Sequence, residues 1–290
     1  MGERLLLWAF RMAWRWLPRV PESIAHQAAS WIADLVWLRN GPGIQQLQRN
    51  LGRVTVQSGE PLRLLVREAI RKYAHYWQVL FQLSGWPVER IQRHVVFHNL
   101  ERVEAEIARG KGVILAATHS GNWDLAGIAV ARRLGPILTV AERLRPEGLF
   151  NEFMRHRESY GIQILPHRGG PRPPLDALEE RLRDGGLVAL VSDRDLSRRG
   201  VDVSFFDAPA RMAAGPAMLA LTTGAALVPC AQWVSGDEVH VLAHEPMEIS
   251  PDATVESVTQ RLADVYARDI AAHPADWHML QVVWREDMRF

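Results

Sequence analysis

The residues best suited to chemistry sit in one stretch, "ATHSGNWDLAG", residues 116–126. His119 follows the apolar run "GVILAAT", and four residues separate it from Asp124. A carboxylate on one imidazole nitrogen fixes the tautomer and leaves the other nitrogen to take a proton. His119 is therefore read as a general base and Asp124 as the acid that orients it. This is the base-plus-orienter half of a triad, with no serine or cysteine nucleophile, and it would act on a substrate hydroxyl. The spacing alone leaves a second reading open. Ser120 and Asn122 are good helix N-caps, and Asp124 would complement a helix dipole whether or not it touches His119.

What must position these residues is a strand before and a helix after. From about residue 95 the chain alternates short apolar runs with helical stretches. Strands are expected at "HVVFH", "GVILAAT", "ILTVAE", "IQILP", "LVALVS", "VDVSFF", "ALVPCAQW" and "VHVLA". Helices are expected near 99–109, 122–134, 146–160, 173–184, 213–223 and 254–273. Such alternation predicts an α/β fold with a central, largely parallel sheet flanked by helices. His119 would then lie at the carboxyl end of a strand, where ligands of open α/β sheets gather. The first part differs. Helical patterns at 3–17, 22–39, 44–54 and 60–83 predict an all-helical N-terminal portion. The expected organisation is thus 1–94 as a helical membrane-associating part and 95–290 as the α/β core, together one compact body.

Composition narrows the function classes. The chain has 290 residues and a formal net charge of +1, which gives no reason to expect a nucleic-acid partner. Only Lys72 and Lys111 are lysines among 34 basic residues, an arginine bias that suits forked recognition of phosphate or carboxylate. The single Cys230 excludes an internal disulfide, and its place at the end of "AALVPC" reads as a small core residue. His273 and His278 in "HPADWH" lack a zinc spacing, and no metal is expected. "GGPRPP" at 169–174 has no nucleotide-binding spacing and reads as a mobile loop near the site.

Eleven tryptophans, seven of them within the first 86 residues, suit a membrane–water boundary. In "ERLLLWAFRMAWRWL" the residues Arg4, Arg11 and Arg15 share a narrow arc against an apolar face. That is the pattern of an interfacial helix on an anionic membrane surface, or equally of an amphipathic helix packed on the core. No apolar run approaches the length of a transmembrane helix.

"THSGNWDLAG" resembles the H-x-x-x-x-D/E block of the glycerolipid acyltransferases. Further blocks follow in order: "TVAERLRPEGLF" (139–150), "FMRHRESYGIQILP" (153–166), "VSDRDLSRRGVDVSFFDAPARMAAGPAMLALTTGAALVP" (191–229) and "HPADWHMLQ" (273–281). Together they are similar to the branch that holds the bacterial lipid A late acyltransferases and the mycobacterial phosphatidylinositol mannoside acyltransferases. "SGNWD", "VAERL" and "PADWHMLQ" lean towards the latter.

The resemblance implies transfer of a fatty acyl chain from acyl-CoA to a sugar hydroxyl of a glycolipid, without cofactor, metal or covalent acyl-enzyme. It implies His119 as the base, with Asp124, Glu142 and Asp193 as acids of the same site. Arg157, Arg194 and Asn122 are expected to bind substrate. It places the protein peripherally on the cytoplasmic face of the plasma (inner) membrane. Backbone N–H groups at the start of the helix after His119 are expected to hold the oxyanion. Two departures stand out: Asp193 occupies a position where the family tends to have Glu, and Asp207 one where it tends to have Gly. Alternatives are a lipid A-type acceptor, a hydrolase, and a non-catalytic acyl-CoA- or lipid-binding protein.

Overall fold

The structure is a computed structural model that describes residues 2–143, 146–170, 172–195 and 200–288. Leu144, Arg145, Pro171 and the segment 196–199, which fall within the sequence blocks and the 169–174 loop above, lie outside the described residues.

Four helices open the chain: α1 (Gly2–Trp16), α2 (Glu22–Arg39), α3 (Pro42–Thr55) and α4 (Gly59–Gln82). A left-handed residue, Asn40, ends α2, and Pro42 starts α3, the usual stop and start chemistry of helices. A short α5 (Val88–Arg93), not anticipated from the sequence, leads into β1 (Val95–His98). The alternation then runs α6 (Leu100–Ala108), β2 (Val113–Ala117), α7 (Trp123–Leu134), β3 (Ile137–Ala141), α8 (Glu147–Glu158), β4 (Ile162–Pro166), α9 (Pro174–Arg183) and β5 (Leu187–Val191). A hairpin, β6 (Val201–Phe205) and β7 (Ala208–Met212), is followed by α10 (Gly215–Thr223), β8 (Ala226–Ser235), β9 (Glu238–Ala243) and α11 (Val255–Ala272).

Seven strands form one sheet in the order β1-β9-β8-β2-β5-β3-β4. β8, β2, β5, β3 and β4 are parallel; β9 pairs antiparallel with β8 and carries β1 with it. The expected largely parallel sheet is therefore present, with two reversed strands at one edge. β2 is apolar on both faces because helices cover both: Val113, Ile114 and Ala116 have no exposed surface. "VDVSFF" is a strand but lies outside this sheet. It pairs only with β7 in a separate two-stranded ribbon. The ribbon turns through Phe206 and Asp207, both left-handed. Aspartate is among the few non-glycine residues that tolerate this conformation, so the Asp207 departure leaves the turn intact.

Two cores sandwich the sheet. One gathers Ile114, Val188, Leu190 and Leu227 with α3, α9, α10 and α11. The other gathers Leu115, Ile137, Ile164 and Val228 with α6, α7, α8 and the carboxyl half of α4. Both draw on the N-terminal helices. α1 packs one face on the core and leaves another apolar face exposed. Phe10 and Trp14 pack on Phe153 at ring separations of 5.9 and 4.9 Å. Leu5, Leu6 and Trp8 face outward at 63, 43 and 59% exposure. No described helix is long and apolar enough to cross a membrane.

Candidate active site

β2 and β5 are adjacent and in parallel register, with Ala117 opposite Val191. Two residues further along each strand come His119 and Asp193, so register alone brings them together. His119 Nδ1 lies 2.6 Å from Asp193 Oδ1, and the His119 backbone N–H donates to Oδ2 at 3.1 Å. The Trp277 indole N–H donates to the same Oδ2 at 2.8 Å. Burial of Asp193 pushes its carboxyl towards the neutral form. The charge and hydrogen bond of His119, with the Trp277 N–H and the backbone N–H, outweigh this and hold it below the usual carboxylate range. An ionised Asp193 keeps the proton of His119 on Nδ1, leaving Nε2 unprotonated and able to accept one.

This corrects the expected pairing. Asp124 does not orient His119; Asp193 does. The first turn of α7 aims Asp124 at α8 and α4 instead. Its carboxylate accepts from Arg157 Nε and Nη2 at 2.5 and 2.9 Å and from the Tyr76 hydroxyl at 2.5 Å. Burial opposes the charge of Asp124, but Arg157 and Tyr76 keep its pKa lowered. Arg157 is tied to that carboxylate in turn. Burial alone would lower its pKa, yet Asp124 raises it above the ordinary value. Asp124 thus engages two of its three nitrogens, while both side chains still line the cavity that holds His119. The second correction is Asn122. It is buried, and its Oδ1 caps α7 by accepting from Leu125 N at 3.0 Å. Asp193, in contrast, reaches the imidazole in spite of its short side chain.

Glu142 and Arg194 reach the same cavity as His119. Glu142 follows β3 and pairs with Arg194, Nη2 to Oε2, at 3.3 Å. Arg194 Nε is buried and has no hydrogen-bond partner among the described residues, so this guanidinium keeps a donor in reserve. No group of residues able to hold a metal ion occurs among the described residues.

The closing segment locks the loop. Gly121 N donates to Asp276 O at 2.9 Å, and His278 N donates to His119 O at 2.8 Å. Asp276 is held by Lys72 Nζ at 2.7 Å and by Val234 N at 3.0 Å. Gly121 is left-handed, and a Cβ there would stand 3.1 Å from the Gln232 backbone, which is why the loop needs glycine. The engagement of Gly121 N and Leu125 N removes two of the backbone donors expected to serve an oxyanion.

Behind His119 lies a cavity of about 320 Å³ between the sheet and α7, α8 and α4. It runs past Trp123, Gly127 and Phe153 to Val130, Ile162 and Val241. Cys230 lines it, but burial pushes that thiol up to about 12, the behaviour of a core residue rather than a nucleophile. Sequence reasoning missed Tyr76, Trp123, Lys72 and Trp277. Trp123 and Trp277 had a signal, their places in the "SGNWD" and "PADWHMLQ" blocks; Tyr76 and Lys72 had none.

A histidine paired with a buried aspartate and lining a largely apolar cavity fits acyl transfer, and comparison with known proteins agrees. The model of the bacterial lipid A biosynthesis acyltransferases matches residues 1–286. A phosphatidylinositol mannoside acyltransferase of Mycolicibacterium smegmatis is 40% identical over 292 residues, covering 99% of this chain and 94% of that protein. One from Mycobacterium tuberculosis is 40% identical over 284 residues, covering 97% and 89%. By family match and full-length similarity, this chain belongs to the bacterial lipid A biosynthesis acyltransferase family.

Proposed function

We propose that the chain transfers a fatty acyl group from acyl-CoA to a mannose hydroxyl of a phosphatidylinositol mannoside, with His119 as general base. The observation that carries this reading is the His119–Asp193 hydrogen bond of 2.6 Å at the mouth of the apolar cavity. The acceptor hydroxyl gives its proton to His119 Nε2 as its oxygen attacks the thioester carbonyl. The tetrahedral oxyanion is stabilised by the amino end of α7. Collapse breaks the carbon–sulfur bond, and the proton on Nε2 passes to the departing thiolate of CoA. Asp193 steadies the transient imidazolium. Arg194, with its reserve donor, holds an anionic or sugar oxygen of a substrate, and Glu142 sets its position. No cofactor is required. The acyl chain lies in the cavity between the sheet and α7.

The mannoside acceptor is supported by the names of the relatives at 40% identity, the lipid A acceptor only by the wider family description. The exposed apolar residues of α1 and α2 support peripheral attachment, on the cytoplasmic face of the plasma (inner) membrane where acyl-CoA is made.

The test is release of CoA from palmitoyl-CoA with and without a phosphatidylinositol mannoside. Acceptor-stimulated release is expected, and His119→Ala should lower it by about 10²–10⁴ while the fold persists. Release indifferent to this acceptor would point to a lipid A precursor or to hydrolysis. Wild-type activity in His119→Ala would remove His119 as base.

A further inference from the structure

A second apolar space lies on the other side of α4. It is a groove of about 550 Å³ between α2 and α4, floored by Leu280 and closed at one end by Leu17 and Val20. α2 presents Ala25, Ala29 and Ala33 to it, all buried, at helical spacing. Larger residues there would interdigitate with α4; alanines leave the space open. The rim is formed by Ile24, Ile32 and Val36, exposed at 58, 60 and 39%. Gln78 is the one amide among its walls, and its side chain is already bonded to Gln82 at 2.7 Å. Tyr73 adds a phenol, and the other described walls are apolar.

Two features say what fills it. The groove and the catalytic cavity share one wall, the Trp77 ring, so the two spaces lie back to back across α4. The rim is also continuous with the outward apolar face of α2, where Trp31, Leu35 and Leu38 are exposed. An occupant drawn over that rim comes from a hydrocarbon phase and lies one ring, Trp77, away from the cavity that holds His119. The donor chain has its own cavity.

We propose that this groove holds a hydrocarbon chain of the lipid acceptor, drawn from the bilayer, while its headgroup is acylated at His119. This rests on the acyl-transfer reading above. A bilayer interior is as apolar as the groove, so moving a chain between them changes little free energy. The groove fixes the height and orientation of the headgroup at His119.

The experiment fills the groove with Ala28→Trp at its exposed rim and Ala74→Leu at its half-buried wall, each in the full chain. Transfer is compared between dipalmitoyl phosphatidylinositol mannoside and its deacylated, water-soluble headgroup. Both variants should lower kcat/KM for the dipalmitoyl acceptor by up to about 10²-fold, the scale of a misplaced reacting group. Transfer to the soluble headgroup, acceptor-free CoA release and vesicle binding should stay at wild-type levels. Equal effects on both acceptors, or loss of vesicle binding in parallel, would overturn the assignment.

A second readout does not depend on turnover. His119→Ala protein is irradiated with a phosphatidylinositol mannoside carrying a mid-chain diazirine. Crosslinks to α2 and α4 are expected; crosslinks confined to α7 and α8 would overturn the groove. Wild-type protein that acylates neither acceptor, with crosslinks still on α2 and α4, would instead overturn the reaction assigned to the site.

Discussion

The strand-end site and the N-terminal helices break the usual distribution of side chains in opposite directions. At the ends of β2 and β5, charged groups are buried: Asp193 has no exposed surface, and Asp124 and Asp276 have 3 and 2%. On α1 and α2, large apolar groups meet water: Trp31 and Leu38 are each 68% exposed. Neither choice favours an isolated, stable molecule. A buried charge must be compensated by a partner, and an exposed apolar patch invites association. The contrast separates two tasks. The inner site fixes protons and charges in place, and the outer helices leave large apolar groups open to an apolar partner.

The inner site itself contains two kinds of charge pair, and variants should separate them. Arg157→Met leaves Asp124 buried with only the Tyr76 hydroxyl. Removing one partner of a buried pair costs about 3–5 kcal/mol, so chemical denaturation should reveal a large loss of stability. Asp193→Asn keeps an oxygen for the Trp277 N–H but no longer supports a cationic His119. Its transfer rate should fall by about 10²–10⁴ with a much smaller loss of stability. A variant pattern with these effects exchanged would make Asp124 the chemical partner after all.

That distinction was not legible in the sequence, and the reason is physical. Asp124 is near His119 along the chain, and local spacing favours near neighbours. Asp193 is 74 residues away, and only the parallel register of Ala117 with Val191 brings it alongside. The family resemblance placed Asp193 among the site acids without giving it this role. Trp277 acts through one N–H across 84 residues, which no local pattern records. The fold was easier to read where burial dominates. β2, β5 and β8 are apolar runs covered on both sides, and each was expected. β7, "APARM", carries a proline and an arginine on a two-stranded ribbon and gave no strand pattern.

The outer half of the comparison has a smaller and separable readout. Changing Trp31, Ile32 and Leu38 together to serine removes three exposed apolar groups from α2. Full burial of one such side chain is worth about 1.5–3 kcal/mol, so even partial insertion predicts at least a tenfold loss of vesicle binding. Sedimentation with anionic vesicles measures this. Transfer to a water-soluble acceptor should be unchanged, because none of the three lines the catalytic cavity. Unaltered vesicle binding would break the assignment of α2 to the membrane.

The smallest expected effect concerns His278, where the two regions meet. Its ring is 5% exposed and lies 5.0 Å from the Tyr73 ring of α4 and 5.9 Å from Trp123. Nε2–H donates to Gly121 O at 3.1 Å, while Nδ1 is buried without a partner among the described residues. Protonating Nδ1 would place a charge in an aromatic box, and burial accordingly pushes this histidine down from 6.5 to about 3. The folded protein therefore declines a proton that the unfolded chain accepts below 6.5. Between those values the unfolded state binds more protons, so stability is complete above 6.5 and falls as pH drops towards 3. His75, pushed down to about 4 by burial, adds to the same window. His278→Gln keeps a donor for Gly121 O and cannot titrate. Its urea midpoint should fall less than that of the wild type when pH is taken below 6.5. Equal slopes would show that the acid sensitivity lies elsewhere, and that the histidine is held for its hydrogen bond to the His119 loop alone.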